Sequence, residues 1–229
     1  MSRLKKARVF GMVGDANNVK MIKLVIFDFS GTLGYYDPAA HRRVFEKLKE
    51  FNLPVDEEKA AAKLSEVLPD YFSHAKSWQE VADKIIQKLG IVLELDRRES
   101  LAAFLERKLA CKLFGDVKEA LNLPQDKAIL TLSAKFAIAG ISQLRHFEIF
   151  SPTIGGVRKP DLKAFLAVLE KMKADPEEAA MVGDSLGNDI LPALALGIKP
   201  ILLDRKGNIE INDPAITKIS SLKQLKKYL

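Results

Sequence analysis

The chain has 229 residues, of which 48% are hydrophobic and 29% charged, a balance typical of a folded globular protein rather than a disordered or fibrous one. The net charge of +6 is scattered along the chain, which disfavours a nucleic-acid-binding surface. No apolar run is long enough to cross a bilayer, and the single cysteine, Cys111, excludes an internal disulfide. We therefore expect a cytoplasmic protein in which Cys111 is a small buried apolar group.

Short apolar runs typical of buried strands recur along the chain. The first, Ile22–Phe27, follows a second methionine, Met21, so residues 1–20 are expected to form an N-terminal extension. The later predicted strands are Ala128–Leu132, Phe147–Phe150, Ala179–Val182 and Pro200–Leu203, and the segments with helical periodicity are Phe136–Leu144, Leu162–Lys171 and Ile190–Leu196. Strands that alternate with helices in this way predict an α/β fold with a doubly wound, three-layer, Rossmann-like parallel sheet.

One long segment interrupts this alternation. Between about Asp37 and Leu113 the pattern predicts four amphipathic helices and no strand. The first is expected to begin with Asp37 as N-cap and Pro38 at the first helical position. The others are predicted at Asp56–Leu68, Ser77–Leu89 and Arg98–Leu113. We therefore predict an α/β core formed by residues 21–35 and 114–229, with residues 36–113 inserted as an all-helical cap.

Polar side chains follow several of the predicted strands. Asp28 closes the first strand, Thr131 the second, and Asp184 and Asp189 lie in the loop after the strand at Ala179–Val182. Lys159 precedes a predicted helix in the segment Arg158-Lys159-Pro160-Asp161. Because ligands bind beyond the carboxyl ends of parallel strands, these side chains are expected to share one edge of the sheet.

These residue types together suit phosphate chemistry with a divalent cation. A carboxylate such as Asp28 is repelled by a phosphate dianion unless positive charge offsets the repulsion. Oxygen ligands from Asp28, Asp184 and a main-chain carbonyl suit Mg²⁺. Thr131 and Lys159 are predicted to hold the transferring group, and the substrate is expected to be a small, phosphorylated molecule.

Three motifs stand out in the sequence: Asp28-Phe29-Ser30-Gly31-Thr32, Gly156-Val157-Arg158-Lys159-Pro160-Asp161 and Gly183-Asp184-Ser185-Leu186-Gly187-Asn188-Asp189. Their order and spacing resemble those of the haloacid dehalogenase superfamily over residues 22–204. The resemblance implies that Asp28 is the nucleophile and that Asp184 binds Mg²⁺. It also implies that Asp189 is an outer-shell acid or a second metal contact, and that the main-chain carbonyl of Ser30 is a metal ligand. Substrate contacts are expected from Ser30, Thr32 and Ser133, and from Arg42 at the start of the first cap helix.

The chain departs from the family pattern at Ser30, where phosphatases of the family carry a second aspartate. That aspartate protonates the leaving oxygen, a general acid–base contribution of roughly 10² to 10⁴ in rate. A serine cannot do this at neutral pH, which costs on the order of 3 to 5 kcal/mol in the barrier. A second departure is Leu132, where many relatives carry a polar asparagine.

Three functions therefore remain open at the level of sequence. The first is a slow Mg²⁺-dependent phosphatase or phosphoryl-transfer enzyme that acts through an aspartyl-phosphate on Asp28. The second is a dehalogenase- or phosphonatase-like hydrolase, the latter with Lys47 or Lys49 of the cap as a Schiff base. The third is a non-enzymatic module that senses phosphate or binds protein. The sequence predicts neither the substrate nor the oligomeric state.

Overall fold

The computed structural model describes residues 20–36, 39–52, 56, 58–64, 75–109, 111–151 and 156–229. Its main feature is a sheet of six parallel strands in the order β5-β4-β1-β6-β7-β8. These strands are β1 (Leu24–Phe27), β4 (Asp126–Leu130), β5 (Glu148–Phe150), β6 (Ala179–Gly183), β7 (Lys199–Leu203) and β8 (Thr217–Ile219). The strand β1 lies in the middle, where Phe27 is in register with Ile129 of β4 and Val182 of β6.

Both faces of this sheet are buried, which explains why its strands are continuous apolar runs. Successive side chains of β1 point to opposite faces, so Val25 and Phe27 join one apolar cluster while Leu24 and Ile26 join another. The helices α5 (Val117–Leu121) and α6 (Lys135–Ala139) cover the first face together with a 3₁₀ turn at Leu222–Lys227, and α7 (Leu162–Met172) and α8 (Leu191–Ala195) cover the second. The predicted doubly wound α/β fold is confirmed.

The segment inserted after β1 forms a helical layer with an apolar cluster of its own. It contains α1 (Ala40–Glu50), α2 (58–64), α3 (Trp78–Leu89) and α4 (Leu95–Leu109). Val44, Leu64, Ile85 and Leu105 are among its fully buried side chains. Clear capping signals delimit α3, because the Ser77 hydroxyl accepts a hydrogen bond from the Glu80 amide and Gly90 ends the helix in a left-handed conformation.

A two-stranded antiparallel ribbon joins the helical layer to the core. Its strands are β2 (Gly34–Tyr35) and β3 (Lys112–Leu113), so the chain leaves and re-enters the core side by side. The expectation of no strand up to Leu113 was therefore wrong, because two-residue strands have too little periodicity to be recognised. The fourth predicted helix also differs, since α4 begins at Leu95 and ends at Leu109.

Other predicted boundaries need correction as well. The helix predicted at Phe136–Leu144 is divided into α6 and a 3₁₀ turn at Ser142–Leu144, and Gly140, a poor helix former, lies between them. The first cap helix begins at Ala40 with Ala39 as N-cap, whereas Asp37 and Pro38 lie outside the described residues. Of the described helices, none combines the length and apolar character that crossing a membrane requires.

Candidate active site

The carboxyl ends of three adjacent strands bring the predicted site residues to one edge of the sheet. Asp28 directly follows β1, Thr131 directly follows β4, and Asp184 directly follows β6. The backbone amide of Asp28 donates to the Val182 carbonyl at 2.9 Å, which continues the pairing of β1 with β6 beyond the last strand residue. The sheet register therefore fixes Asp28 next to the loop that carries Asp184.

Lys159 links two of the acidic residues. Its Nζ lies 2.6 Å from Oδ1 of Asp28 and 2.6 Å from Oδ1 of Asp189, and only 3% of the residue is exposed. Burial by itself lowers the pKa of a lysine, but the two carboxylates outweigh burial and raise the pKa of Lys159 above its usual value. The lysine is therefore positively charged at neutral pH and offsets part of the acidic charge around it.

Three carboxylates converge at this position. Asp28, Asp184 and Asp189 each offer an oxygen atom, and these atoms lie within 4.8 Å of one another. Burial raises the pKa of Asp184 to about 6, and the neighbouring Asp28 carboxylate adds to the rise. Burial also raises the pKa of Asp189 to about 7, although Lys159 acts in the opposite direction. The site therefore holds more negative charge than Lys159 alone can offset.

The oxygens of these carboxylates differ in what they contact. Asp189 accepts the Lys159 ammonium through Oδ1 and the Ser185 amide through Oδ2, at 2.6 and 3.1 Å. Asp28 accepts Lys159 through Oδ1, whereas its buried Oδ2 has no hydrogen-bond partner among the described residues. Because a buried oxygen without a partner is costly, Asp28 Oδ2 is well suited to a cation ligand. The half-buried Asp184 offers a second carboxylate oxygen nearby.

Two glycines allow the loops to approach these carboxylates closely. A Cβ atom on Gly31 would lie 2.0 Å from Oδ2 of Asp184, and one on Gly183 would lie 2.4 Å from Oδ2 of Asp189. Gly31 also has a φ of +85°, which side chains rarely tolerate. Any larger residue at either position would therefore displace a carboxylate of the site.

The predicted hydroxyl groups have different surroundings. Thr131 is buried and its Oγ1 accepts the Ser133 amide at 3.0 Å, which leaves the hydroxyl proton available to donate. Ser133 is also buried, with the side chain of Tyr36 close to it. Thr32 is fully buried, with no partner for Oγ1 among the described residues, whereas Ser30 is exposed. Ser30 is therefore open to an incoming molecule, while Thr32 faces the protein interior.

The predicted cap residues lie in other environments. The side chain of Arg42 is 74% exposed and pairs with Glu46 one turn further along α1, at 3.3 Å. Lys47 is paired with Glu50 at 2.6 Å and lies over the ring of Phe51, so it is engaged within the cap. Arg42 and Lys47 thus each form an ion pair within the cap.

Sequence reasoning missed one residue that contacts the Asp28 loop. Arg205 donates to the main-chain carbonyls of Gly31 and Thr32, at 3.1 and 2.7 Å, and forms a two-pronged ion pair with Asp116. The sequence contained a signal for it, since Asp204 and Arg205 directly follow β7 and so occupy the same kind of position as Asp28. Asp116 follows no predicted strand and gave no such signal.

The chain matches known proteins along most of its length. The family model described as haloacid dehalogenase-like hydrolase matches residues 22–197. The chain is 23% identical to a glyceraldehyde 3-phosphate phosphatase of Methanothermobacter thermautotrophicus, over 91% of this chain and 100% of the relative. It is 28% identical to a phosphoglycolate phosphatase of Haemophilus influenzae, over 76% of this chain and 82% of the relative.

Solved structures with the same fold include enzymes of two kinds. A HAD phosphatase from Thermococcus onnurineus aligns with a TM-score of 0.64 at 22% identity, and the alignment covers 90% of this chain and 97% of that one. A 2-haloacid dehalogenase from Pseudomonas syringae aligns with a TM-score of 0.66 at 23% identity and the same coverage. The shared fold therefore does not separate phosphate from halide chemistry.

Proposed function

Because the chain belongs to the haloacid dehalogenase-like hydrolase family, we propose that it hydrolyses small phosphomonoesters slowly, with Mg²⁺ as cofactor and Asp28 as nucleophile. The observation that carries this proposal is the group of three buried or half-buried carboxylates with Lys159 between two of them. By the family resemblance, a dehalogenase attacks carbon without a metal, so a group of carboxylates suited to Mg²⁺ favours phosphate chemistry. The phosphatase names of the relatives point in the same direction and suggest a small organic phosphate as substrate.

The residues of the site fit a magnesium ion. Asp28 Oδ2 and the Asp184 carboxylate are the oxygens available to it, together with the main-chain carbonyl of Ser30. Asp189 has a positioning role in this proposal, because both of its oxygens already accept hydrogen bonds. A bound Mg²⁺ would supply positive charge that draws the substrate phosphate towards Asp28 and stabilises the negative charge of the transition state.

The chain's own residues then divide the reaction between them. A carboxylate oxygen of Asp28 attacks phosphorus, so that a carboxyl O–P bond forms while the ester P–O bond breaks. Lys159 orients the Asp28 carboxylate, and Thr131 donates its hydroxyl proton to a phosphate oxygen. Water then attacks the aspartyl-phosphate, which releases phosphate and restores Asp28.

The step without an assigned residue is proton transfer to the leaving oxygen. Ser30 stands where the family's phosphatases place an aspartate, and its side chain is exposed. Without a general acid, the leaving alkoxide must take its proton from water, which lowers the rate by roughly 10² to 10⁴. The proposed enzyme is therefore slow and is expected to prefer esters with good leaving groups.

The phosphonatase-like alternative lacks a free cap lysine among the two considered. Lys47 is bound to Glu50 and stacked on Phe51, and Lys49 lies over the ring of Phe45. A Schiff base needs a lysine amine that can reach a substrate carbonyl, whereas the amine of Lys47 is engaged by Glu50. This observation favours phosphomonoester hydrolysis over the phosphonatase reaction.

The test is hydrolysis of a panel of phosphomonoesters, including glyceraldehyde 3-phosphate and phosphoglycolate, with and without Mg²⁺. Activity should require Mg²⁺, disappear in Asp28→Asn and rise by at least about 10²-fold in Ser30→Asp. Ser30→Asn is the matched control, because an asparagine side chain is the same size as an aspartate side chain but cannot act as a general acid. If no ester is hydrolysed and Ser30→Asp creates no activity, the phosphatase proposal is wrong and a binding function becomes the better account.

A further inference from the structure

Arg205 lies beyond residue 197, where the match to the family model ends, yet it contacts the loop of the nucleophile. All three nitrogens of its guanidinium group are used. Nε and one terminal nitrogen donate to the carbonyls of Gly31 and Thr32, while both terminal nitrogens donate to the two oxygens of Asp116. The guanidinium carbon also lies 4.1 Å from the centre of the Phe114 ring. This planar group is therefore held on several sides.

Asp116 anchors this arginine to the far end of the chain. Besides Arg205, it accepts the hydroxyl of Ser221 at 2.7 Å and the amide of Leu222 at 3.0 Å. Burial by itself raises the pKa of Asp116, but these hydrogen bonds outweigh it and hold the pKa below its usual value. The carboxylate is thus a fixed negative charge that ties Arg205 to the C-terminal 3₁₀ turn.

The two carbonyls that Arg205 holds belong to the loop that follows Asp28. The backbone of Gly31 passes so close to Asp184 that a Cβ atom would lie 2.0 Å from its carboxylate oxygen. The peptide that carries the Ser30 carbonyl is bonded directly to Gly31. A change in the orientation of the Gly31 and Thr32 peptides would therefore alter both the Ser30 carbonyl and the space beside Asp184.

We infer that Arg205 is a positioning residue for the metal site, because it fixes the peptides on both sides of Thr32. The first of these follows directly on the peptide that carries the Ser30 carbonyl, so Arg205 limits where that carbonyl lies relative to Asp28 and Asp184. This inference rests on the proposed function, since it assumes a divalent cation at these oxygens. Groups that orient metal ligands from outside the ligand shell typically change metal affinity by about 10–100-fold when removed. Lysine cannot replace this arginine, because one ammonium group does not span two carbonyls and a carboxylate.

The test measures binding of Mn²⁺ alone, by calorimetry at a temperature where all variants are folded, so it does not depend on any substrate. Arg205→Lys keeps the charge and Arg205→Met removes it. Both should weaken Mn²⁺ binding by at least about 10-fold. Ser221→Ala is the matched control, because it removes a hydrogen bond to Asp116 and lowers stability but leaves the contacts of Arg205 to Gly31 and Thr32 in place. The Mn²⁺ affinity of this variant should stay within about twofold of that of the unaltered protein.

Each result has a defined meaning. Mn²⁺ affinity unchanged in Arg205→Lys overturns the inference, and so does an equal loss in Ser221→Ala, which would show that reduced stability alone explains the effect. If Arg205→Met does not fold, Arg205→Lys and Ser221→Ala still decide the question. A protein that binds Mn²⁺ in an Arg205-dependent way but hydrolyses no ester would keep this inference and refute only the phosphatase proposal.

Discussion

Replacing Lys159 by methionine should lower the stability of the protein, because this lysine offsets the negative charge of the clustered carboxylates. The change keeps the length of the side chain but removes the only cation that contacts Asp28 and Asp189 among the described residues. Removal of one partner from a buried ion pair costs about 3–5 kcal/mol, because the other charge is left uncompensated. For a chain of this size, such a loss lowers Tm by roughly 6–20 °C.

The size of this loss should depend on pH, and the direction follows from the raised pKa values. An aspartate whose pKa is higher in the folded than in the unfolded protein binds protons more tightly when folded, so the metal-free protein loses stability as pH rises from about 4 to 7. The pKa values of Asp184 and Asp189 are raised to about 6 and about 7, and loss of the lysine should raise the pKa of Asp189 further. Near pH 5.5 these carboxylates take up protons and the repulsion falls. Lys159→Met should therefore be most destabilising near pH 8 and clearly less so near pH 5.5.

The assay is thermal unfolding at both pH values without divalent cations, with Lys163→Met as control. Lys163 is exposed at the start of α7, so its loss should change stability by no more than about 0.5 kcal/mol at either pH. Equal stability of Lys159→Met and the unaltered protein near pH 8 would contradict this reasoning. A loss of the same size at both pH values would show that packing, rather than charge, makes Lys159 important.

Two further predictions concern single residues. Asp184→Asn should raise the stability of the metal-free protein by about 1 kcal/mol near pH 8, because it removes a charge that burial disfavours. It should also abolish stabilisation by Mg²⁺, which at a hundredfold excess over Kd is about 2.7 kcal/mol for one site. Thermal unfolding with and without Mg²⁺ measures both effects, and an unchanged response to Mg²⁺ would exclude Asp184 as a ligand. Burial raises the pKa of Cys111 to about 11. Its thiol should therefore resist iodoacetamide in the native protein near neutral pH and react fully in urea, and mass spectrometry follows both reactions. Rapid alkylation of the native protein would show that this thiol is accessible.

Sequence patterns predicted the sheet better than the boundaries of its covering elements. Strands such as β6 are buried on both faces, and their continuous apolar runs leave little ambiguity. The edge strand β8 was missed because it contains only three residues, Thr217–Ile219, one of them a lysine. Its strand conformation depends on pairing with β7, which a local pattern cannot reveal.

The candidate site shows the same limit of local reasoning. Asp28, Asp184 and Asp189 were identified because each follows a strand or lies in a recognisable motif, and the structure brings them together with Lys159. The contacts of Arg205 were not predictable in this way, because its partners lie 89 and 174 positions away in sequence. Its neighbours in space are set by the packing of the C-terminal turn against the sheet, which no single motif records.

The position of Ser30 has a particular meaning in this setting. The clustered carboxylates are costly for the metal-free protein, as the raised pKa values of Asp184 and Asp189 indicate. In the proposed mechanism, these carboxylates and Lys159 act on the charge at phosphorus and at the cation. The aspartate that the family's phosphatases carry in place of Ser30 only transfers protons to the leaving oxygen and from the attacking water. Under the proposed function, a serine at position 30 therefore leaves in place the residues that form the aspartyl-phosphate and weakens the steps that need proton transfer. A serine at position 30 is therefore more consistent with a slow enzyme that acts through Asp28 than with a site that has lost all activity.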